Sequence, residues 1–388
     1  MKKTITQFYG YSFFRNLSFY SAVLIPFFTT WGHISLPQTQ LLQSWSMMWI
    51  FLLEVPTGVI ADRFGRKYSL ILSCVIIALA VLIYGSIPNF QIFLACEFLF
   101  ALSMSLTSGS DEALVYDTLK EYGKEKESVK VFGRAYFFRL SGVLVASILG
   151  GFIAREYGVD AAMRLAAIPF FIAALIAWRI KEPEFRSEGT RLSYVTTLRD
   201  GWKYFSNHRT LCLLSFDSVI VASSAYFVFW LYQALLLQIG VPLIWFGVFG
   251  ALLMLVQMLI SSNFKQLEIF FGSTKKMLQF STLVTAASFF LVGMFPSIPT
   301  VVVFLLFGGG FGLTRATMMS AYINRYIPSR ERATILSFIS LFRRLFLAIL
   351  LPIVALTMTH SLTLPFLFIG FVALTVFFFS PIEKEMFE

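Results

Sequence analysis

Stretches of apolar sequence long enough to cross a bilayer recur along this chain. A helix that spans the hydrocarbon core takes about 20 predominantly apolar residues. In the first half such stretches fall at 9–31, 41–62, 69–87, 90–112, 132–154 and 162–179. In the second half they fall at 211–238, 243–263, 277–296, 299–322, 333–357 and 361–380. Charged residues make up only 13% of the 388, where a soluble domain carries about 25%. Hydrophobic residues make up 57%, with 45 phenylalanines among them. A cytosolic enzyme, a disordered chain and a secreted disulfide scaffold are excluded. The expected fold class is all-α integral membrane, with 12 transmembrane helices in two six-helix bundles.

Charge gives the expected sidedness. With the N-terminus placed inside, the inner loops collect Lys2, Lys3, Arg63, Arg66, Lys67, Lys120, Lys124, Lys126 and Lys130. They also collect the basic run from Arg179 to Arg209, then Lys265, Lys275, Lys276, Arg325, Arg330, Arg332 and Lys384. The outer loops hold Arg155 and Arg164. Basic residues thus favour the inside by roughly ten to one, which predicts cytoplasmic termini and a multi-pass protein of the cell membrane. The same asymmetry accounts for the net charge of +10, so no nucleic-acid role is expected. Lys2 and Lys3 precede a stretch of full span length without a small-residue cleavage pattern, so a cleavable signal is not expected.

Other chemistry is missing from the pattern. Cys74, Cys96 and Cys212 form no metal or disulfide spacing, and His33, His208 and His360 are scattered. No phosphate-binding GxxxxGK[ST] is present. Gly308, Gly309, Gly310 and Gly312 read as a close helix-packing surface. No catalytic residue, metal site or cofactor is expected.

The chain divides at its longest connector. The expected domains are 1–179, a linker at 180–210, and 211–388. Within the linker, Leu192, Val195, Leu198, Trp202 and Phe205 recur at helical spacing and predict an amphipathic helix. The halves echo each other: one offset relates Gly65 to Gly272 and also Asp117 to Asn324. Such an internal repeat is typical of secondary transporters, whose site lies between the halves.

The connector between spans 2 and 3 carries the densest pattern: Gly58, Asp62, Arg63, Gly65, Arg66 and Lys67. Gly65 suits a tight turn at positive φ. Gly58 leaves room for a neighbouring helix. Asp62 is placed to face a helix N-terminus, and Arg66 to hold that carboxylate by a fork. These residues match G-x-x-x-D-R-x-G-R-[KR] at every fixed position, and the segment resembles the signature of the major facilitator superfamily. The resemblance extends to span number, sidedness and repeat. It implies an inner gate in which Asp62, Arg66 and Asp117 lock against the start of span 11, near Arg332. The second copy, Leu267 to Lys276, keeps Gly272 but has Ile269 where the Asp would align. Two further family patterns are eroded. Glu97 stands near the place of a span-4 Arg, and Ala146-Ser147 replace a Gly-Pro pair among Gly142, Gly150 and Gly151. The segments Ser108–Asp117 and Asn324–Ser337 resemble a bacterial, drug-efflux-like branch.

Ionisable groups inside spans cost at least about 2.5–3.5 kcal/mol on insertion scales and are candidates for function. Depth along the helices groups Arg15, Glu54, Glu112 and Arg139 as a charge network, with Glu54 the first candidate to exchange a proton. Asp111 lies beside Glu112. Glu97, with no basic partner at its depth, is a candidate proton site or cavity carboxylate. Asp217 and Arg315 have matching depth and are expected to pair. Arg343 and Arg344 stand in the middle of span 11, where a cavity-facing Arg suits an anionic or zwitterionic substrate. Tyr226 and Trp230 are candidates for lining an apolar cavity. The expected function is alternating-access transport of a small organic molecule, with proton-coupled efflux leading. An organic-anion exchanger or facilitator is the alternative, and a non-transporting membrane sensor a remote one. Expected partners are the substrate, protons and the lipid bilayer, with the chain monomeric.

Overall fold

The computed structural model describes residues 1–183, 194–327 and 332–379, and these form helices joined by short turns, with no strand among them. Nine helices among the described residues are long and apolar enough to cross a membrane, Arg66–Tyr84 and Leu243–Ser262 among them. The chain is a multi-pass membrane protein. The Leu36–Phe64 helix has 29 residues and carries Pro56 within it, and the apolar Thr363–Phe379 helix is shorter, at 17.

Several expected spans are interrupted. The stretch at 9–31 is not one helix. The Lys2–Arg15 helix ends at Asn16, and Ser18 is extended. The chain then winds as a tight turn over Phe19–Val23 and a wide one over Phe27–Trp31, where the Gly32 N–H reaches back to the Phe27 carbonyl at 2.8 Å. Hydropathy stays high through the break because the interrupting residues are few. The stretch at 90–112 is likewise two helices, Phe90–Thr107 and Ser110–Glu121, hinged at Gly109 with φ of 75°. A second wide turn, Phe304–Gly312, carries the glycine cluster. A Cβ at Gly309 would stand 2.2 Å from Leu253 Cδ1, so these glycines admit neighbouring side chains.

The chain folds as two compact units. One comprises Met1–Ser35, Leu42–Thr190 and Pro242–Ala251. Its core gathers Phe8, Tyr11, Leu70, Cys74, Leu114, Leu119 and Ala173. Here the Ser128–Tyr157 helix packs backbone against backbone: a Cβ at Gly150 would lie 1.9 Å from the Phe19 carbonyl oxygen, and one at Gly142 2.4 Å from that of Phe13. In lipid, apolar burial does not by itself bring helices together, so small residues that permit this approach carry the packing. The other unit comprises Leu36–Leu41, Arg191–Val241 and Leu252–Glu388. Its core joins Leu211, Leu214, Met277, Met319, Tyr322 and Ile335.

The linker helix runs Tyr194–Asn207 and belongs to this second unit. Phe205 is buried, with its ring 5.4 Å from that of Phe338, and the Tyr204 hydroxyl donates to the Tyr326 carbonyl at 3.0 Å. Trp202 is exposed. Leu192 and the side chains of Val195 and Leu198 lie outside the described residues.

Candidate functional site

Gly65 separates two helices, and its φ of 108° belongs to the region that glycine occupies freely. Its N–H closes the first helix on the Ala61 carbonyl, and Arg66 opens the second. The first N–H groups of a helix have no partner within it and carry partial positive charge. The Arg66 N–H donates to Glu182 Oε1 at 2.9 Å, and the Lys67 N–H to Glu182 Oε2 at 2.8 Å. Among the described residues, the carboxylate at this helix N-terminus is Glu182, just past the Ala167–Arg179 helix. A Cβ at Gly65 would come within 3.3 Å of it.

The Arg66 side chain turns to Asp117 and forms an ion pair with its Oδ2. Asp117 is buried while Arg66 keeps partial exposure. Arg63 is exposed and lies over the Phe64 ring, 5.7 Å from its centroid. The side chains of Asp62 and of 332–334 lie outside the described residues. Gly58 is exposed, and among the described residues nothing stands within 4 Å of a Cβ built there.

The charges grouped by depth occupy different settings. Arg15 donates to Ser103 Oγ at 2.9 Å and stands over the Phe170 ring at 5.4 Å. Glu54 accepts a long hydrogen bond from Ser108 Oγ, 3.4 Å. Glu112 and Arg139 are exposed, so these two do not belong to a buried cluster. Both lie close enough to Asp111 to act on it electrostatically.

Glu97 is 5% exposed. Its Oε1 accepts from Gln43 Nε2 and from the Tyr84 hydroxyl, each at 3.0 Å, and Ser46 also bonds the carboxylate. Tyr84 itself is boxed by aromatic rings, stacked on Phe93 at 4.8 Å and flanked by Phe27, Phe28 and Phe100. The wide turn at Phe27–Trp31 supplies part of that box.

In the second unit, Arg315 and Asp217 form an ion pair that is almost wholly buried. Arg315 Nε lies 3.0 Å from Asp217 Oδ1, and Nη1 donates to the Leu278 carbonyl at 2.6 Å. A cavity of about 20 Å³ beside the pair, lined also by Lys275 and Thr282, has room for one water. The loop that echoes the first-half motif has its own acid. Glu268, one position before Ile269, accepts from the Tyr322 hydroxyl at 2.8 Å and from Thr274. Arg343 and Arg344 are half-buried within the Arg332–Met358 helix. Trp230 is buried, its ring 6.3 Å from that of the half-buried Tyr226. No group of His, Cys, Asp and Glu among the described residues is arranged to hold a metal.

The sequence profile of the Major Facilitator Superfamily matches residues 8–267. The chain belongs to this superfamily. No curated protein matches the sequence significantly. Among solved structures, the nucleoside transporter NupG aligns with a TM-score of 0.78 at 12% identity, covering 97% of both chains. The POT family transporter PepTSo aligns with a TM-score of 0.74 at 16% identity, again covering 97% of each. A POT family transporter in complex with a thioalcohol-conjugated peptide aligns at 0.74 and 14%, covering 96% of this chain and 94% of that one. The fold is that of the superfamily's membrane transporters.

Glu182, Gln43, Tyr84 and Glu268 make contacts in these arrangements that the sequence did not reveal. None of them meets a side chain of opposite charge in these hydrogen bonds. Glu182 left a faint trace, as an acid after the last apolar residues of span 6 and before Pro183.

Proposed function

We propose that this chain is a secondary active transporter that moves a small organic molecule across the cell membrane by alternating access. Proton-coupled efflux of a drug or metabolite is the leading form, in keeping with the drug-efflux-like sequence features. The observation that carries the reading is the latch at 62–67. Arg66 is tied to Asp117, and the helix that Arg66 opens is held by Glu182. An ion pair and a capped helix end are two contacts that a conformational change can break and remake at modest cost. Asp62 completes this gate in our reading, and the substrate sits elsewhere. The chain crosses the membrane twelve times, with the broken 9–31 segment as its first span and both termini cytoplasmic. It works as a monomer, with bundles at 1–179 and 211–388 joined by the 180–210 linker.

Saturable, substrate-dependent collapse of a proton gradient in everted vesicles tests this reading. The panel contains lipophilic cations, neutral drugs and organic anions, with Glu54→Gln and Arg343→Ala as controls. Collapse by a cation or neutral drug supports proton-coupled efflux. A second reading, an organic-anion exchanger or facilitator, rests on the half-buried Arg343 and Arg344. It predicts no collapse, and counterflow of a labelled anion that is lost in Arg343→Ala.

A further inference from the structure

Three carboxylates are buried among the described residues, and they fall into two kinds. Asp117 and Asp217 each face an arginine. Arginine has only donors and no acceptor, so each of these aspartates accepts from a cation. Glu97 is the other kind. None of the ion pairs among the described residues includes it. Its partners are an amide, a phenol and an aliphatic hydroxyl.

All three partners can either give or accept a hydrogen bond. Towards a carboxylate, Gln43 turns its NH₂ and Tyr84 and Ser46 their O–H. Towards a carboxylic acid, Gln43 can present its carbonyl, and either hydroxyl can rotate to accept the acid's proton. The site can thus hold both protonation states with its buried polar atoms satisfied. A structural carboxylate has no use for that freedom, and burying a charge with no counter-charge is costly.

Among the described residues, no cation forms an ion pair with Glu97. The titratable groups facing Glu97 are Tyr84, Cys96 and Tyr20. Arg15 also acts on the Tyr20 phenol, and its guanidinium donates to Ser103. Behind Tyr84, at Gly85, Arg164 and Asp160 pair with each other at 2.6 Å. The Phe27, Phe28 and Phe93 rings close the remaining side around Tyr84.

We propose that Glu97 is a reversible proton-binding site that carries the coupling proton, with Gln43, Tyr84 and Ser46 as its switching shell. This rests on the proton-coupled reading above and moves the coupling role from Glu54 to Glu97. In one state of the cycle a proton from water adds to a carboxylate oxygen of Glu97. In the other it leaves to water on the opposite side, and no other bond changes.

The test uses the full chain reconstituted in liposomes, with protons as the first probe. Infrared difference spectra between acidic and alkaline buffer follow the C=O stretch of a protonated carboxyl. The expected result is a band in the wild type that is absent in Glu97→Gln and retained in Glu54→Gln. In Tyr84→Phe, which keeps the ring, the band persists with a displaced midpoint. A band that survives unchanged in Glu97→Gln, or a Tyr84→Phe midpoint equal to wild type, overturns the proposal.

The flux arm uses whichever compound of the vesicle panel discharges the gradient. Coupling between two ligands is ordinarily worth about 5–150-fold. Glu97→Gln is expected to lose a gradient-driven accumulation of that order while keeping counterflow. If the wild type discharges no gradient, the proton-coupled reading fails, whatever the infrared band shows. If the wild type is gradient-driven and Glu97→Gln remains equally so, the assignment of Glu97 fails and the coupling reading stands.

Discussion

Arg315 is a cation enclosed by protein, with one carboxylate and one backbone carbonyl to satisfy it. Removing either member of such a pair leaves a buried charge without a partner, at about 3–5 kcal/mol, while an apolar pair of similar volume is often neutral. Asp217→Ala is therefore expected to lower the unfolding temperature in detergent markedly. Asp217→Leu combined with Arg315→Met is expected to recover most of that loss. The recovery is incomplete because the Arg315 hydrogen bond to the Leu278 carbonyl is also lost, an effect of about 0.5–1.5 kcal/mol, the Thr282 hydroxyl remaining as a donor to that carbonyl. A double substitution as unstable as the single one would show that packing, and not charge, sets the cost. Matching depth in the sequence already suggested this pair, because depth arithmetic works when both partners are charged. It was blind to Gln43 and Tyr84 around Glu97, since neutral donors leave no mark in a hydropathy profile. It also failed for Glu112 and Arg139, which share a depth with Arg15 but point to exposed surface.

At the scale of elements, the junction at Gly65 shows how a loop motif becomes a mechanical part. Two helices meet there, and Glu182, from the segment after a third, supplies the acceptors that the first turn of the Arg66–Tyr84 helix lacks. Removing a side-chain cap ordinarily costs about 0.5–2 kcal/mol. Glu182→Ala is expected to speed hydrogen exchange at the Arg66 and Lys67 amides and to leave the middle of that helix unchanged. Exchange equal to wild type at those amides would remove Glu182 from the latch. Gly65→Ala is expected to be destabilising as well, both for its φ of 108° and for the 3.3 Å approach to Glu182. The motif itself was fully legible in sequence. The part played by Glu182 was not, because it lies more than a hundred residues further along the chain. A near miss occurs at the second loop, where Ile269 looks like a lost acid and Glu268 stands beside it. Broken spans were hidden for another reason: Asn16 and Ser18 are too few to lower the apolar average of 9–31, although they end its helix.

Sidedness belongs to the whole molecule, and it decides which face of the membrane the Gly65 junction gates. The census of lysines and arginines predicts the loop that contains Lys126 in the cytoplasm and the helix end that contains Arg155 outside. Both positions are exposed, so each can report its compartment as a single cysteine. Cys74 and Cys96 are buried and Cys212 partly so; a background without them keeps the signal clean. With a membrane-impermeant maleimide, Lys126→Cys is expected to react in everted vesicles and not in intact cells, and Arg155→Cys the reverse. In everted vesicles the cytoplasmic face then looks out, and an efflux substrate added to the medium meets the side it meets in the cell. A proton leaving the acidic lumen through Glu97 would drive that substrate inward. If both cysteines react from the same side, the number of crossings between them is even, contrary to the single span at 132–154. If both react from the sides opposite to those expected, the chain is inverted. The gradient would still run from the acidic lumen to the medium and its collapse would still report efflux, but the Gly65 junction would then act on the outer face instead of the inner one.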